Sequence, residues 1–169
     1  MPAFCIIVMG PSGVGKTTTA KAIAERLNWT FAEGDEFHPA ANIAKMSAGI
    51  PLNDEDRQPW LETIRDWMTQ KSREGENTVI TCSALKRRYR DILRSTEADL
   101  HFVQLDAPVQ LVGERMAKRV DHYMPLSLLN SQFDALEPLQ DDEKGIRICV
   151  VENPNEVVST AISALLPNN

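Results

Sequence analysis

The sequence predicts an α/β fold in which a parallel sheet is covered by helices on both faces, and three observations predict it. Apolar runs of strand length alternate along the chain with stretches whose apolar residues recur at helical spacing. The first of those runs, residues 4–9, is apolar on consecutive residues, as a strand buried on both faces requires. The first run leads directly into Gly10-Pro11-Ser12-Gly13-Val14-Gly15-Lys16-Thr17, a glycine-rich turn that opens a helix.

Taken in order, Phe4-Cys5-Ile6-Ile7-Val8-Met9 is the first strand, and residues 15–27 form a helix with Ala20, Ile23, Ala24 and Leu27 on one face. A short strand at 29–33 precedes a polar loop. The spacing then predicts a helix over 56–73, where Trp60, Leu61, Ile64 and Trp67 read as core. Strands follow at 78–82, 100–105 and 147–151, with helices at 86–95, 108–119, 126–137 and 154–166. No repeat, low-complexity tract or linker interrupts the 169 residues, so a single domain over 1–169 is expected.

Composition narrows the function classes. Lys and Arg number 18 against 24 Asp and Glu, a net charge of −6. A general nucleic-acid binder is usually basic, so no nucleic-acid partner is expected. Cys5, Cys82 and Cys149 lie in apolar runs without metal-ligand spacing and read as buried, reduced thiols of a cytoplasmic protein. Residues 1–9 read as a strand, since they lack a basic flank and run into the glycine-rich turn. No apolar stretch approaches the ~18 residues of a membrane span, so no membrane partner is expected.

The turn at residues 10–17 fits G-x-x-x-x-G-K-[ST], which cradles nucleotide phosphates on backbone N–H groups at a helix N-terminus. Lys16 would reach the β- and γ-phosphates and the Thr17 hydroxyl would hold Mg²⁺. A merely flexible turn would not need Lys16 and Thr17 in register, so a nucleoside triphosphate is the expected ligand.

In a parallel sheet, ligands gather beyond the carboxyl ends of the strands. After the second strand stands Glu33-Gly34-Asp35-Glu36-Phe37-His38-Pro39. Asp35 there could accept a proton from an acceptor hydroxyl, or equally cap a helix starting near Pro39. After the third strand, Ser83 to Arg90 reads as an anion-binding helix start or as a solvated basic face. Asp106 is either a metal-holding carboxylate or, preferably, the cap of the helix after Pro108. Arg115 and Arg119, four apart on one helix face, could clamp triphosphate oxygens.

Several separate stretches resemble the gluconate kinases, within the shikimate-kinase-like and nucleoside-monophosphate-kinase-like P-loop group. They are Gly34 to Pro39 with Asn42, Lys45 and Met46; Gly49 to Arg57 with Pro59-Trp60-Leu61; Cys82 to Lys86 with Tyr89-Arg90-Asp91; and His122 to Pro125 with Leu128-Leu129, Ser131-Gln132-Phe133 and Leu136-Glu137. The resemblance implies a P-loop kinase fold with five parallel strands and a helical lid at roughly 115–130. It implies transfer of the ATP γ-phosphate to the 6-hydroxyl of D-gluconate, with Mg²⁺, commonly in a homodimer. Asp35 would be the general base, with Lys16 and Arg119 completing the catalytic set. ATP would be held by Gly10, Ser12, Gly13, Val14, Gly15, Lys16, Thr17, Thr18 and Arg115, and the metal by Thr17 and Glu33. The sugar acid would meet Asp35, His38, Lys45, Arg57, Ser83, Lys86, Arg90, His122 and Gln132. The chain departs from the pattern at Asp121 and Tyr123, where the family usually has Gly and Phe, and at Glu33, where related kinases often carry Asp. A kinase of another small sugar acid or polyol, and a regulatory P-loop NTPase, are the alternatives; His101 carries no expected role.

Overall fold

The central strand β1 (Phe4–Met9) divides the core in two by the alternation of its side chains. Ile6 and Val8 face one helical layer, whereas Cys5, Ile7 and Met9 face the other, and all five are fully buried. A strand covered on both faces has no polar side to show, which accounts for the unbroken apolar run. The structure is a computed structural model that describes residues 2–117, 126–150 and 154–166.

Beyond β1 the chain forms α1 (Lys16–Leu27), β2 (Thr30–Glu33), a single 3₁₀ turn (Gly34–Phe37), α2 (Ala40–Ser47) and α3 (Asp54–Arg73). Then come β3 (Thr78–Thr81), α4 (Arg87–Arg94), β4 (Asp99–Asp106), α5 (Val109–Ala117), α6 (Leu126–Ala135), β5 (Gly145–Cys149) and α7 (Pro154–Leu165). The strands pair in parallel in the order β2-β3-β1-β4-β5. From β1 the chain runs to the edge at β2, returns through β3 and crosses to β4, so the strand order reverses around β1. That reversal opens a crevice at the carboxyl end of β1, where ligands of open α/β sheets bind.

Ala20 and Ile23 of α1, Val112 of α5 and Val157 and Ala161 of α7 pack on one face of the sheet. Trp60, Leu61, Ile64 and Met68 of α3 with Leu93 of α4 pack on the other. Each buried residue of Leu or Ile size contributes roughly 1.5–3 kcal/mol of transfer free energy.

Three elements differ from the sequence expectation. α3 starts two residues before its apolar periodicity, because a capping box sets its start: Asn53 accepts from the Asp56 N–H (2.8 Å) and Asp56 accepts from the Asn53 N–H (3.0 Å). α2, over 40–47, entered the expectation only as the helix near Pro39 in the capping alternative for Asp35; its apolar residues Ile43 and Met46 are 51% and 44% exposed, so no core-facing stripe marks it. β5 begins at residue 145 because it is an edge strand, alternating Ile146 and Ile148 with Arg147 and Cys149 rather than forming an apolar run. For the same reason Cys149 is exposed, while Cys5 and Cys82 are buried, which corrects the expectation of three buried thiols. No helix among the described residues is long and apolar enough to cross a membrane.

Candidate active site

Residues 10–17 wrap the end of β1 and enter α1 with Gly15 at the N-cap in the left-handed region (φ 93°) and no side-chain cap. The first N–H groups of α1 are therefore left for an anion. The loop is pinned at three points. The Gly10 N–H donates to the Ser83 carbonyl (3.2 Å), joining the loop to the turn after β3. The Ser12 N–H donates to Gln132 Oε1 of α6 (2.7 Å). A Cβ on Gly13 would lie 2.6 Å from Val112 and 2.8 Å from Met116, so only glycine lets α5 pack against the loop. Lys16 Nζ donates to the carbonyls of Gly10 (2.8 Å) and Pro11 (3.0 Å). Burial pushes the Lys16 ammonium below its ordinary value, against the negative charges of Asp35 and Glu33, which favour its protonated form.

Thr17 and Glu33 come together from α1 and β2. The Thr17 hydroxyl donates to the Glu33 carboxylate, with Oε2 at 3.0 Å, and the Thr81 hydroxyl donates to the same Oε2 at 3.1 Å. Thr81 in turn accepts from the Gly34 N–H (3.1 Å), so β3 orients the carboxylate. A hydroxyl and a carboxylate at the mouth of a phosphate loop are hard oxygen donors, and they fit an Mg²⁺ that also takes phosphate oxygens and water. Among the described residues no three His, Cys, Asp or Glu side chains form a protein-only metal cluster.

The 3₁₀ turn brings Asp35 to the same crevice with its side chain exposed. Its charge acts on Lys16 and on His38, the next turn of chain. The capping alternative for Asp35 fails: α2 has Pro39 at its N-cap and no side-chain cap. His38 stacks on Trp60 (centroids 4.1 Å apart, 16° between planes), and the Trp60 indole donates to the Gly34 carbonyl at 2.8 Å. Burial lowers the His38 imidazole below its ordinary value; Asp35 opposes this and Arg57 adds to it.

Around this turn stand the basic residues, already sorted by their partners. Lys45 is ion-paired with Asp56 (2.8 Å) and Lys86 with Asp54 (3.2 Å). Asp54 also binds Arg88 (2.7 Å) and accepts from the Tyr89 hydroxyl; that bond above all holds its carboxyl below the usual range. Arg57 donates to neutral oxygens, the Leu52 carbonyl (2.6 Å) and the Tyr89 hydroxyl (3.3 Å), and lies over the Tyr89 ring (5.6 Å). Ser83 is half-buried beside the left-handed Ala84 (φ 44°), and Thr18 and Arg115 are exposed on α1 and α5. Arg119 and His122 lie outside the described residues, as does the centre of the expected lid.

Two expectations are corrected. Arg90 does not face the crevice: it is 0% exposed and donates to Glu143 (2.7 and 3.1 Å), the Ala84 carbonyl (2.9 Å) and the Leu85 carbonyl (3.4 Å). An arginine with its fork engaged inside the protein holds the turn after β3 and presents nothing to a ligand. Asp106, expected to cap α5, instead accepts from Gln104 Nε2 (2.5 Å) and Arg147 Nε (3.2 Å). Sequence reasoning assigned no role to Thr81, Asn42, Asp54 or Glu143. Asn42 and Asp54 stood in the family-like stretches, but only burial on an otherwise exposed helix singles Asn42 out, and the others are marked by long-range pairing that no local pattern carries.

Residues 5–139 match the AAA domain family. The chain is 46% identical over 157 residues to a gluconokinase of Gluconobacter oxydans (strain 621H), covering 93% of this chain and 88% of that protein. Among solved structures it resembles a sugar kinase from Janibacter sp. HTCC2649 (TM-score 0.91, 45% identity, 98% of this chain and 97% of that one). It also resembles a gluconokinase from Sinorhizobium meliloti 1021 (TM-score 0.88, 42% identity, 98% and 93%). The fold is that of the P-loop kinases, and with a phosphate loop, a carboxylate turn and near full-length identity of this order, the chain belongs to the gluconokinase family.

Proposed function

We propose that the chain transfers the γ-phosphoryl group of ATP to the 6-hydroxyl of D-gluconate, releasing ADP and 6-phosphogluconate. The observation that carries the reading is the meeting, in one crevice, of a phosphate loop, Asp35 and an arginine bound only to neutral oxygens among the described residues. A sugar acid needs all three: a phosphoryl donor, a base for its hydroxyl and a cation for its carboxylate. Lys45 and Lys86 already neutralise Asp56 and Asp54, which leaves Arg57 as the side chain best suited to the acid.

In the reaction the sugar oxygen attacks the γ-phosphorus, its proton passes to Asp35, and the bond to the ADP oxygen breaks. Lys16 and the first N–H groups of α1 hold the phosphates, and Thr17 and Glu33 would hold Mg²⁺. Bound there, Mg²⁺ supplies neutralisation of the β- and γ-phosphate charge. The family resemblance supports a single kinase domain, a lid over 115–130 that brings Arg119 and His122 to the substrates, and a cytoplasmic homodimer.

The test is ADP release with Mg-ATP against D-gluconate, other aldonic acids, shikimate, neutral sugars, nucleoside monophosphates and water. Preference for D-gluconate is expected. Preference for another acid would change the substrate and keep the chemistry, whereas release without any acceptor would favour a regulatory NTPase.

A further inference from the structure

Asn42 is the one buried residue of α2, 3% exposed on an otherwise open helix. Its amide nitrogen makes two contacts. Nδ2 donates to the Asp56 carbonyl at 2.9 Å, and Nδ2 also lies 3.1 Å from His38 Nδ1. A backbone carbonyl can only accept, so the Asp56 contact identifies which end of the amide is nitrogen. The second hydrogen of that nitrogen then points at His38, and His38 Nδ1 must accept it. A neutral imidazole that accepts at Nδ1 carries its proton at Nε2.

We propose that His38 meets the acceptor as a neutral imidazole donating its Nε2–H, and that Asn42 is the positioning residue that fixes this tautomer. The proposal rests on the reading of the crevice as a sugar-acid site and adds the hydrogen-bond polarity of one of its walls. The rest of the surroundings agree. Trp60 sets the plane of the ring by stacking, and is itself fixed by its bond to the Gly34 carbonyl. Among the described residues no hydrogen bond engages Nε2. The charged groups facing the ring are Asp35 from the 3₁₀ turn and Arg57 from α3, of opposite sign, and burial keeps the second proton off. A donor at Nε2 suits a hydroxyl or carboxylate oxygen of a polyhydroxy acid. It also leaves Asp35 as the proton acceptor, since His38 has no free lone pair to offer.

The first measurement is the long-range ¹H–¹⁵N spectrum of the unmodified protein, in which the three histidines are few enough to resolve and the His38→Gln spectrum identifies one of them. A pyrrole-type Nε2 and pyridine-type Nδ1 at His38 are expected at neutral pH; the opposite tautomer overturns the proposal with no variant needed. Asn42→Asp replaces the donor with an acceptor, so the proton should move to Nδ1. The KM for D-gluconate should then rise ~10-fold while that for ATP stays within about twofold.

His38→Gln places an amide nitrogen near the lost Nε2 and should keep the acceptor KM within about threefold; His38→Asn, which mimics Nδ1 instead, should raise it ~10-fold. Equal acceptor KM values in all these variants, with D-gluconate still phosphorylated, would overturn the contact and leave the function intact. No turnover of D-gluconate by the unmodified enzyme would overturn the reading beneath it, whatever the tautomer.

Discussion

Arg90 and Glu143 form an ion pair in which neither side chain has exposed surface, with Nε 2.7 Å from Oε1. Arg94 (2.6 Å) and the Gln140 N–H (2.9 Å) bind the same carboxylate, so the segment between α6 and β5 is tied to α4 and through Arg90 to the turn after β3. Removing one partner of such a pair leaves a buried charge uncompensated. Glu143→Ala should therefore cost about 3–5 kcal/mol in urea denaturation, and Arg90→Met with Glu143→Leu should recover most of it. A single-variant loss below about 1 kcal/mol would mark the pair as no stronger than a surface bridge.

The same carboxylate predicts an acid sensitivity. Burial works against its ionisation, but Arg90, the Gln140 N–H and Arg94 outweigh burial and hold Glu143 down at about 2, against an ordinary 4.5. Because the folded value is the lower one, the stabilisation is complete above about 4.5 and drains away as pH falls towards 2. The urea midpoint of the unmodified protein should fall more steeply than that of Glu143→Gln across this window; parallel curves would remove Glu143 as the cause.

Asp35→Asn keeps the shape of the turn and removes the proposed proton acceptor. Its kcat should drop ~10²–10⁴-fold with the KM for ATP little changed, measured by steady-state ADP release. Near-normal turnover would end the general-base assignment.

Thr17→Ala and Glu33→Gln each remove a hard oxygen donor from the mouth of the loop. Both should raise the Mg²⁺ concentration for half-maximal rate several-fold, and Glu33→Gln should leave the D-gluconate KM in place. An unchanged Mg²⁺ titration for Glu33→Gln would confine that carboxylate to orienting Thr17 and Thr81.

Arg57→Ala should raise the KM for D-gluconate by ~10-fold or more and that for ATP much less, because the charge-assisted pair proposed with the acid would be lost. The reverse pattern would move Arg57 to the nucleotide side.

The parts of the site legible in the sequence are those whose chemistry is local. Gly10 to Thr17 carry their meaning in eight consecutive residues, and Glu33-Gly34-Asp35 announces two carboxylates at the end of a strand. The sheet was equally legible, because β1 is buried on both faces and reads as an unbroken apolar run, while β4 still carries Leu100, Phe102, Val103 and Leu105 within eight residues. What stayed hidden depends on distant pairing. Arg90 looks in sequence like any cation on a basic helix, and only the arrival of Glu143, 53 positions later, turns it inward. Lys45 and Lys86 likewise looked available until Asp56 and Asp54 came beside them. α2 carries no apolar stripe in the sequence, because its single core-facing residue is a polar Asn, contrary to the pattern by which helices are recognised.

Gly34 sits between Glu33 and Asp35 with its backbone hard against β3. A Cβ there would fall 1.9 Å from the Thr81 carbonyl oxygen. The two flanking carboxylates are consequently mounted on one immovable point, and neither can be re-aimed without moving the other. In a saturation screen for activity, position 34 should therefore score as intolerant as Lys16 or Asp35, with even alanine failing. Such a map would rank a residue with no side chain among the essential ones, and inherited variation should treat the three residues 33–35 as one indivisible unit.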